Sequence, residues 1–299
     1  MMKIVRKIDL ILVILLVTLI PLLFVPVPIW LLTPAGNAFT DFGHIIFFGA
    51  LTFLAYRQMP FSPTINSILI LLAAFIGGVT IEILQDFVGR DSSWSDVFKN
   101  MLATLFVLSW LNKARLVIWI GRVITSLLVF LNLVFLIVIT INQHKVFQEF
   151  PVLSNFESGY DFQRWKGTTK RVKSFKSQGQ YGMQVKFREN RYSRFEIANF
   201  PRNWSDFSNL CFDIYNPDDD SLPLTIRIND YKYNRRRNDR YQQPLLVKPS
   251  WNYICIPLEE IKNGPSNREL ELNAVRRIVV FAYQLETTRT IYTDNWRLQ

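Results

Sequence analysis

Three polar pairs interrupt the apolar first half of the chain: Asp41 with His44, Glu82 with Gln85, and Asp96 with Asn100. Their spacings of three, three and four residues place both members of each pair on one face of a helix. Arg90 follows the second pair. A charged group among apolar residues is costly unless it is paired, protonated or wetted, so it marks a site by default. Carboxylates beside an imidazole raise its pKa for acid/base work, and the same groups ligate a divalent cation. Arg90 suits an anionic substrate group. The structural alternative has these residues hydrogen-bonding between helices near the headgroups, with Arg90 snorkelling to phosphate.

A second set lies in the other half. Tyr231, Tyr233, Asn238, Asp239, Arg240 and Tyr241 combine rings that stack on the apolar side of a pyranose with groups that hydrogen-bond its hydroxyls. Arg235, Arg236 and Arg237 add charge that would draw anionic polymers, or form a solvated loop. The sequence holds no Gly-rich phosphate loop, His-Glu-x-x-His helix or Gly-x-Ser-x-Gly elbow, which disfavours catalysis in this half. Nucleic acid is disfavoured as well, because no recognition helix, zinc spacing or aromatic RNA motif accompanies the arginines.

The elements that must hold these residues follow from composition. The 299 residues are 49% hydrophobic and carry a formal charge of +10, too apolar for two soluble domains and too varied for disorder. Five apolar segments, near 10–32, 42–56, 65–84, 97–111 and 116–141, read as membrane spans. The first, behind Lys3, Arg6 and Lys7, exceeds a signal-peptide core and is retained. Short-loop cations orient the bundle: Lys3, Arg6, Lys7, Arg57, Lys113, Arg115 and Arg122 share one side, and only Arg90 and Lys99 the other. The N-terminus is therefore expected in the cytoplasm. Five crossings then place all three polar pairs on the outer side and the remaining chain outside the cell.

After a linker at 143–151 the pattern changes to alternation: Met183, Val185, Phe187; Leu224, Ile226, Ile228; Ile254, Ile256, Leu258; Ile278, Val280, Ala282. Half-buried strands have this period. Turn clusters such as Asn216-Pro217-Asp218 and Asn263-Gly264-Pro265 separate the runs. The expected fold is thus a membrane α-helical bundle at 1–142 plus an all-β jelly-roll sandwich at 152–299, with Phe187, Phe195 and Phe212 in its core. Cys211 and Cys255, the only cysteines, are expected as buried free thiols.

The order Asp41-Phe-Gly-His44, Glu82-Ile-Leu-Gln85, Gly89-Arg90, Asp96-x-x-x-Asn100 resembles the VanZ-like membrane family over residues 8–112. That likeness implies an envelope role and an association with glycopeptide antibiotic resistance, without an established reaction. The span after Leu116 and the β-domain lie outside the family pattern. Asn155-Phe156-Glu157, Asn209 to Pro217, Trp251 to Leu258 and Tyr292-Thr293-Asp294-Asn295-Trp296 resemble the galactose-binding-like jelly roll used by carbohydrate-binding modules. In such modules a structural calcium joins the first and last strands, which would assign it to Glu157 and Asp294 here; carboxylate oxygens suit that ion. Two carboxylates that cap a turn and bond backbone need no ion.

These readings converge on a multi-pass protein of the lipid bilayer that presents a sugar-binding domain to envelope polysaccharide or glycolipid. Two alternatives use the same residues: a membrane enzyme or lipid-handling protein with an outward Asp/His/Glu site, and a structural anchor with a protein-binding sandwich.

Overall fold

The computed structural model describes residues 10–14, 16–18, 20, 24, 33–87, 93–113 and 115–299. The chain divides into two units, 1–141 and 142–299. The described residues between 10 and 24 are helical, while most of the first expected span lies outside the described residues.

In the first unit α1 spans Pro34–Gln58, α2 Pro63–Phe87, α3 Trp94–Leu111 and α4 Leu116–Gln148. Helix α1 starts eight residues before the expected apolar segment because Thr33 is its N-cap, accepting from Gly36 N at 3.0 Å, and Pro34 fits the first turn, where its missing N–H is not needed. Ser93 caps α3 in the same way, accepting from Ser95 N at 3.2 Å. Helices α1, α2 and α4 are long and apolar enough to cross a bilayer. Helix α3 has 18 residues but carries Ser95, Asp96, Lys99 and Asn100 in its first two turns, and it falls short of that apolarity. Among the described residues there are three candidate spans rather than five, and the residues expected to form a linker continue α4 to Gln148.

A ladder of side-chain bonds fixes the register of α1 against α3: His44 with Asn100 at 3.1 Å, Thr52 with Thr104 at 3.2 Å, and Tyr56 with Asn112 at 3.3 Å. Because both numbers rise together, the two helices run parallel, and α2 packs on both. Phe47, Phe48, Ala74 and Ala103 fill the space between them. Many large apolar residues, such as Phe75, Ile76, Phe130 and Phe135, face outward instead.

The second unit is a sandwich of two antiparallel sheets. One has the order β3 (Thr169–Val172), β4 (Gly182–Phe187), β11 (Arg289–Leu298), β6 (Asn209–Asn216), β9 (Ser250–Pro257), with β1 (Val152–Ser154) also paired to β11. The other has the order β2 (Trp165–Gly167), β5 (Ser193–Ile197), β10 (Val275–Ala282), β7 (Leu222–Asp230), β8 (Tyr241–Val247). Alternation works as expected: Met183, Val185 and Phe187 of β4, and Ile226 and Ile228 of β7, are buried between the sheets with Phe195, Phe212 and Trp296.

One expectation is corrected here. Cys211 and Cys255 form a disulfide. The β6–β9 register makes them direct cross-strand partners, 4.1 Å apart at Cα, and strand register is not visible in local sequence.

Candidate functional site

The three polar pairs come together in the first unit. Asp41 and His44 lie two turns into α1, Glu82 and Gln85 near the end of α2, and Asp96 and Asn100 at the start of α3. His44, Glu82, Gln85 and Asn100 are all buried. His44 Nδ1 meets Asn100 Oδ1 at 3.1 Å, and its Nε2 stands 3.9 Å from Asp96 Oδ2. Lys99 Nζ bridges Asp41 Oδ2 at 2.8 Å and Asp96 Oδ1 at 3.0 Å. Ser93 N donates to Glu82 Oε2 at 2.6 Å, tying the end of α2 to the start of α3. Gly78 of α2 permits this closeness, since a Cβ there would stand 3.1 Å from the Asn100 amide nitrogen. A cavity of about 270 Å³ opens beside Glu82, between Asp86, Ser93 and Trp94. Arg90 lies outside the described residues. One ligand atom each from His44, Glu82 and Asp96 falls within 4.8 Å of the others, a set able to hold a metal.

In the second unit the tyrosines singled out from sequence are not a common platform. Tyr241 is buried in the core, where desolvation pushes its hydroxyl well above the usual range. Tyr231 is covered by guanidiniums, Arg202 at 4.5 Å and Arg276 at 5.3 Å from its ring centre. Tyr233 accepts from Arg240 Nη1 at 2.9 Å. Asp239 is buried and bound to Arg268, which holds its carboxyl below the ordinary value. Asn238 and Arg235 to Arg237 are exposed loop residues.

Another surface carries the rings. On the outer face of the first sheet, cross-strand pairing aligns Lys170, Gln184, Tyr292, Tyr215 and Trp251 in one row across five strands. Phe175, from the β3–β4 loop, lies over this row with its ring centre 4.6 Å from Tyr215 and 4.4 Å from Tyr292. Trp251 sits 5.3 Å from Tyr215, and Tyr253 continues from Trp251 at 6.4 Å with the two rings 16° from parallel. Tyr253 is 73% exposed and Phe175 41%. Gln184 Nε2 donates to the Tyr292 hydroxyl at 3.2 Å. The signal for this face was present: Trp251 and Tyr253 alternate with the inward Ile254 and Ile256. The row itself needs the strand order, which brings Phe175, Tyr215, Trp251 and Tyr292 together from distant parts of the chain.

Glu157 and Asp294 hold the loop that carries Phe175. Glu157 Oε1 accepts from Gln180 N at 2.7 Å and Tyr181 N at 3.0 Å; Asp294 Oδ2 accepts from Ser177 N at 2.9 Å and Gln178 N at 3.1 Å. Burial raises the Asp294 pKa, against the lowering effect of these N–H donors. Four amide hydrogens thus meet Glu157 Oε1 and Asp294 Oδ2, an arrangement in which the two carboxylates act as a turn clamp.

No family model matches the chain, and no curated protein matches it. The VanZ-like resemblance therefore stands on its motif residues alone. Among solved structures, the β-unit is similar to a family 11 carbohydrate-binding module from Clostridium thermocellum in complex with a β-1,3-1,4-mixed-linked tetrasaccharide, at 20% identity and TM-score 0.40, covering 49% of this chain and 93% of that one. The agarase AgWH50C is similar at 16% identity and TM-score 0.40, over 50% of this chain and 26% of that one. A module of family CBM28, specific for non-crystalline cellulose, is similar at 13% identity and TM-score 0.36, over 49% and 92%.

Proposed function

We propose that the chain is a membrane-anchored glycan-binding protein whose sandwich takes a β-linked polysaccharide on the outer face of its first sheet. The observation that carries this reading is the aromatic row of exposed Phe175 and Tyr253 and half-buried Trp251, packed against Tyr215 and Tyr292. A pyranose with equatorial hydroxyls offers a flat C–H face to such rings and its hydroxyls to the flanking Gln184 and Lys170. Rings that run from the β3–β4 loop across to β9, with neighbouring centres 4.6 to 6.4 Å apart, suit several linked sugars better than one. Counting the segment before α1, helices α1, α2 and α4, and α3 as a short fifth crossing, the cationic short loops favour a cytoplasmic N-terminus and an external sandwich. The disulfide supports that side, because such bonds persist in oxidising compartments.

The test is co-sedimentation and affinity electrophoresis of the full-length chain in detergent with a panel of β-glucans, galactans and wall polysaccharides. Binding to at least one β-linked polymer is expected, falling at least tenfold in a Trp251→Ala, Tyr253→Ala double variant and persisting in Tyr233→Phe. Absence of binding across the panel, or equal binding by the double variant, overturns the reading.

A further inference from the structure

We infer that the first unit holds a first-row divalent cation, with zinc the best match, between His44 of α1, Glu82 of α2 and Asp96 of α3. The site does not depend on the glycan reading, which concerns the other unit.

Three observations carry it. First, one nitrogen and two carboxylate oxygens from three separate helices lie within 4.8 Å of one another, with His44 and Glu82 buried. Ligands on a tetrahedral zinc at about 2.0–2.1 Å stand roughly 3.3 Å apart, so loading needs only a small closure of the helix ends. Second, the supporting groups already orient the ligands. His44 Nδ1 faces Asn100 Oδ1, an acceptor, so Nδ1 is the donating nitrogen and the neutral ring presents its lone pair on Nε2, the nitrogen that faces Asp96. Metal-binding histidines are held in this way, through the ring nitrogen that does not bind the metal. Lys99 occupies Asp96 Oδ1, leaving Oδ2 toward His44, and Ser93 N fixes the position of Glu82. Third, the 3.9 Å between Nε2 and Oδ2 is too long for a hydrogen bond. The gap between these two ligand atoms is one that a shared cation would bridge.

Imidazole nitrogen with two carboxylates favours zinc or its first-row neighbours over magnesium and calcium, which take all-oxygen shells. Three protein ligands leave a fourth position for water or another ligand, and of the three Glu82 also lines a cavity.

The experiment uses the full-length chain in detergent, stripped by chelator, dialysed against zinc and analysed for metal per chain, with cobalt loading read by visible absorption. About one zinc per chain is expected, with the cobalt spectrum showing a low-symmetry site. His44→Gln, Glu82→Gln and Asp96→Asn should each weaken zinc binding at least tenfold while far-UV circular dichroism is retained. Asn100→Ala, which removes the partner of the imidazole Nδ1 and no proposed ligand, should weaken it by about 10–100-fold. His144→Gln, which changes the other histidine, should leave zinc binding unchanged. Less than 0.1 zinc per wild-type chain, or stoichiometry and affinity unaltered in His44→Gln, overturns the inference, and polysaccharide binding by the same preparations reports separately on the sandwich.

Discussion

Gly179 sits at φ +59°, and a Cβ there would come within 2.2 Å of Glu157 Oε1. An alanine therefore meets left-handed strain of about 1–2 kcal/mol and displaces the carboxylate that binds Gln180 N and Tyr181 N. Gly179→Ala should lower the thermal midpoint of the sandwich and weaken polysaccharide binding, since the same loop presents Phe175; calorimetry and affinity electrophoresis read the two effects. Chelator should leave that midpoint unchanged, and a rise on adding calcium would show that the clamp reading of Glu157 and Asp294 is wrong. Asp239 gives a pH signature. Its folded pKa lies below the ordinary 3.8 because Arg268 binds the carboxylate, so its contribution is complete above about pH 5 and is lost as pH falls through the folded value. Asp239→Asn should flatten the acid limb of the midpoint against pH. At this scale the polar pairs of the helices were legible, because charge among apolar residues is conspicuous. The aromatic row of the first sheet was not: a run of Tyr, Asn and Arg in one loop drew notice, whereas the row is assembled across strands.

Between residue and molecule stand elements whose register decides which side chains meet. Pairing β6 with β9 sets Cys211 against Cys255 and closes a loop with a sequence separation of 44. In the chain-entropy model a loop of that length stabilises by about 4 kcal/mol, which in a domain of this size corresponds to roughly 8–16 °C. A Cys211→Ala, Cys255→Ala variant should melt lower by about that amount while keeping its β circular dichroism, and an unchanged midpoint would deny the bond a role in stability. The strands were readable because apolar residues alternate on one buried face, yet neither the sheet order nor this pairing follows from local pattern. Helix α1 shows the same limit in another form. Thr33 and Pro34 are a start signal, but Gly36, Asn37 and Asp41 interrupt the apolar run and conceal the two turns that precede His44.

For the whole molecule the deciding quantity is which compartment each unit occupies. The first unit exposes apolar rings and chains such as Phe75, Phe130 and Phe135, as a lipid-facing surface would, whereas the second buries its own in a closed two-sheet core. That contrast was legible from composition, because continuous apolar runs and period-two alternation answer different solvents. The number of crossings was less so, since α3 begins with the charged and amide groups that meet His44 and is polar for that reason. Topology and chemistry are coupled in the proposed reading: an N-terminus inside and an odd number of crossings would carry the β-unit to an oxidising exterior, the compartment in which a Cys211–Cys255 bond persists. Intact cells treated with a membrane-impermeant thiol reagent, before and after an impermeant reductant, supply the test. No labelling is expected before reduction and two labels per chain after it, with protease added outside releasing the sandwich. Thiols that react only with a permeant reagent, together with a protected sandwich, would place the unit inside and remove the envelope polysaccharide as its ligand.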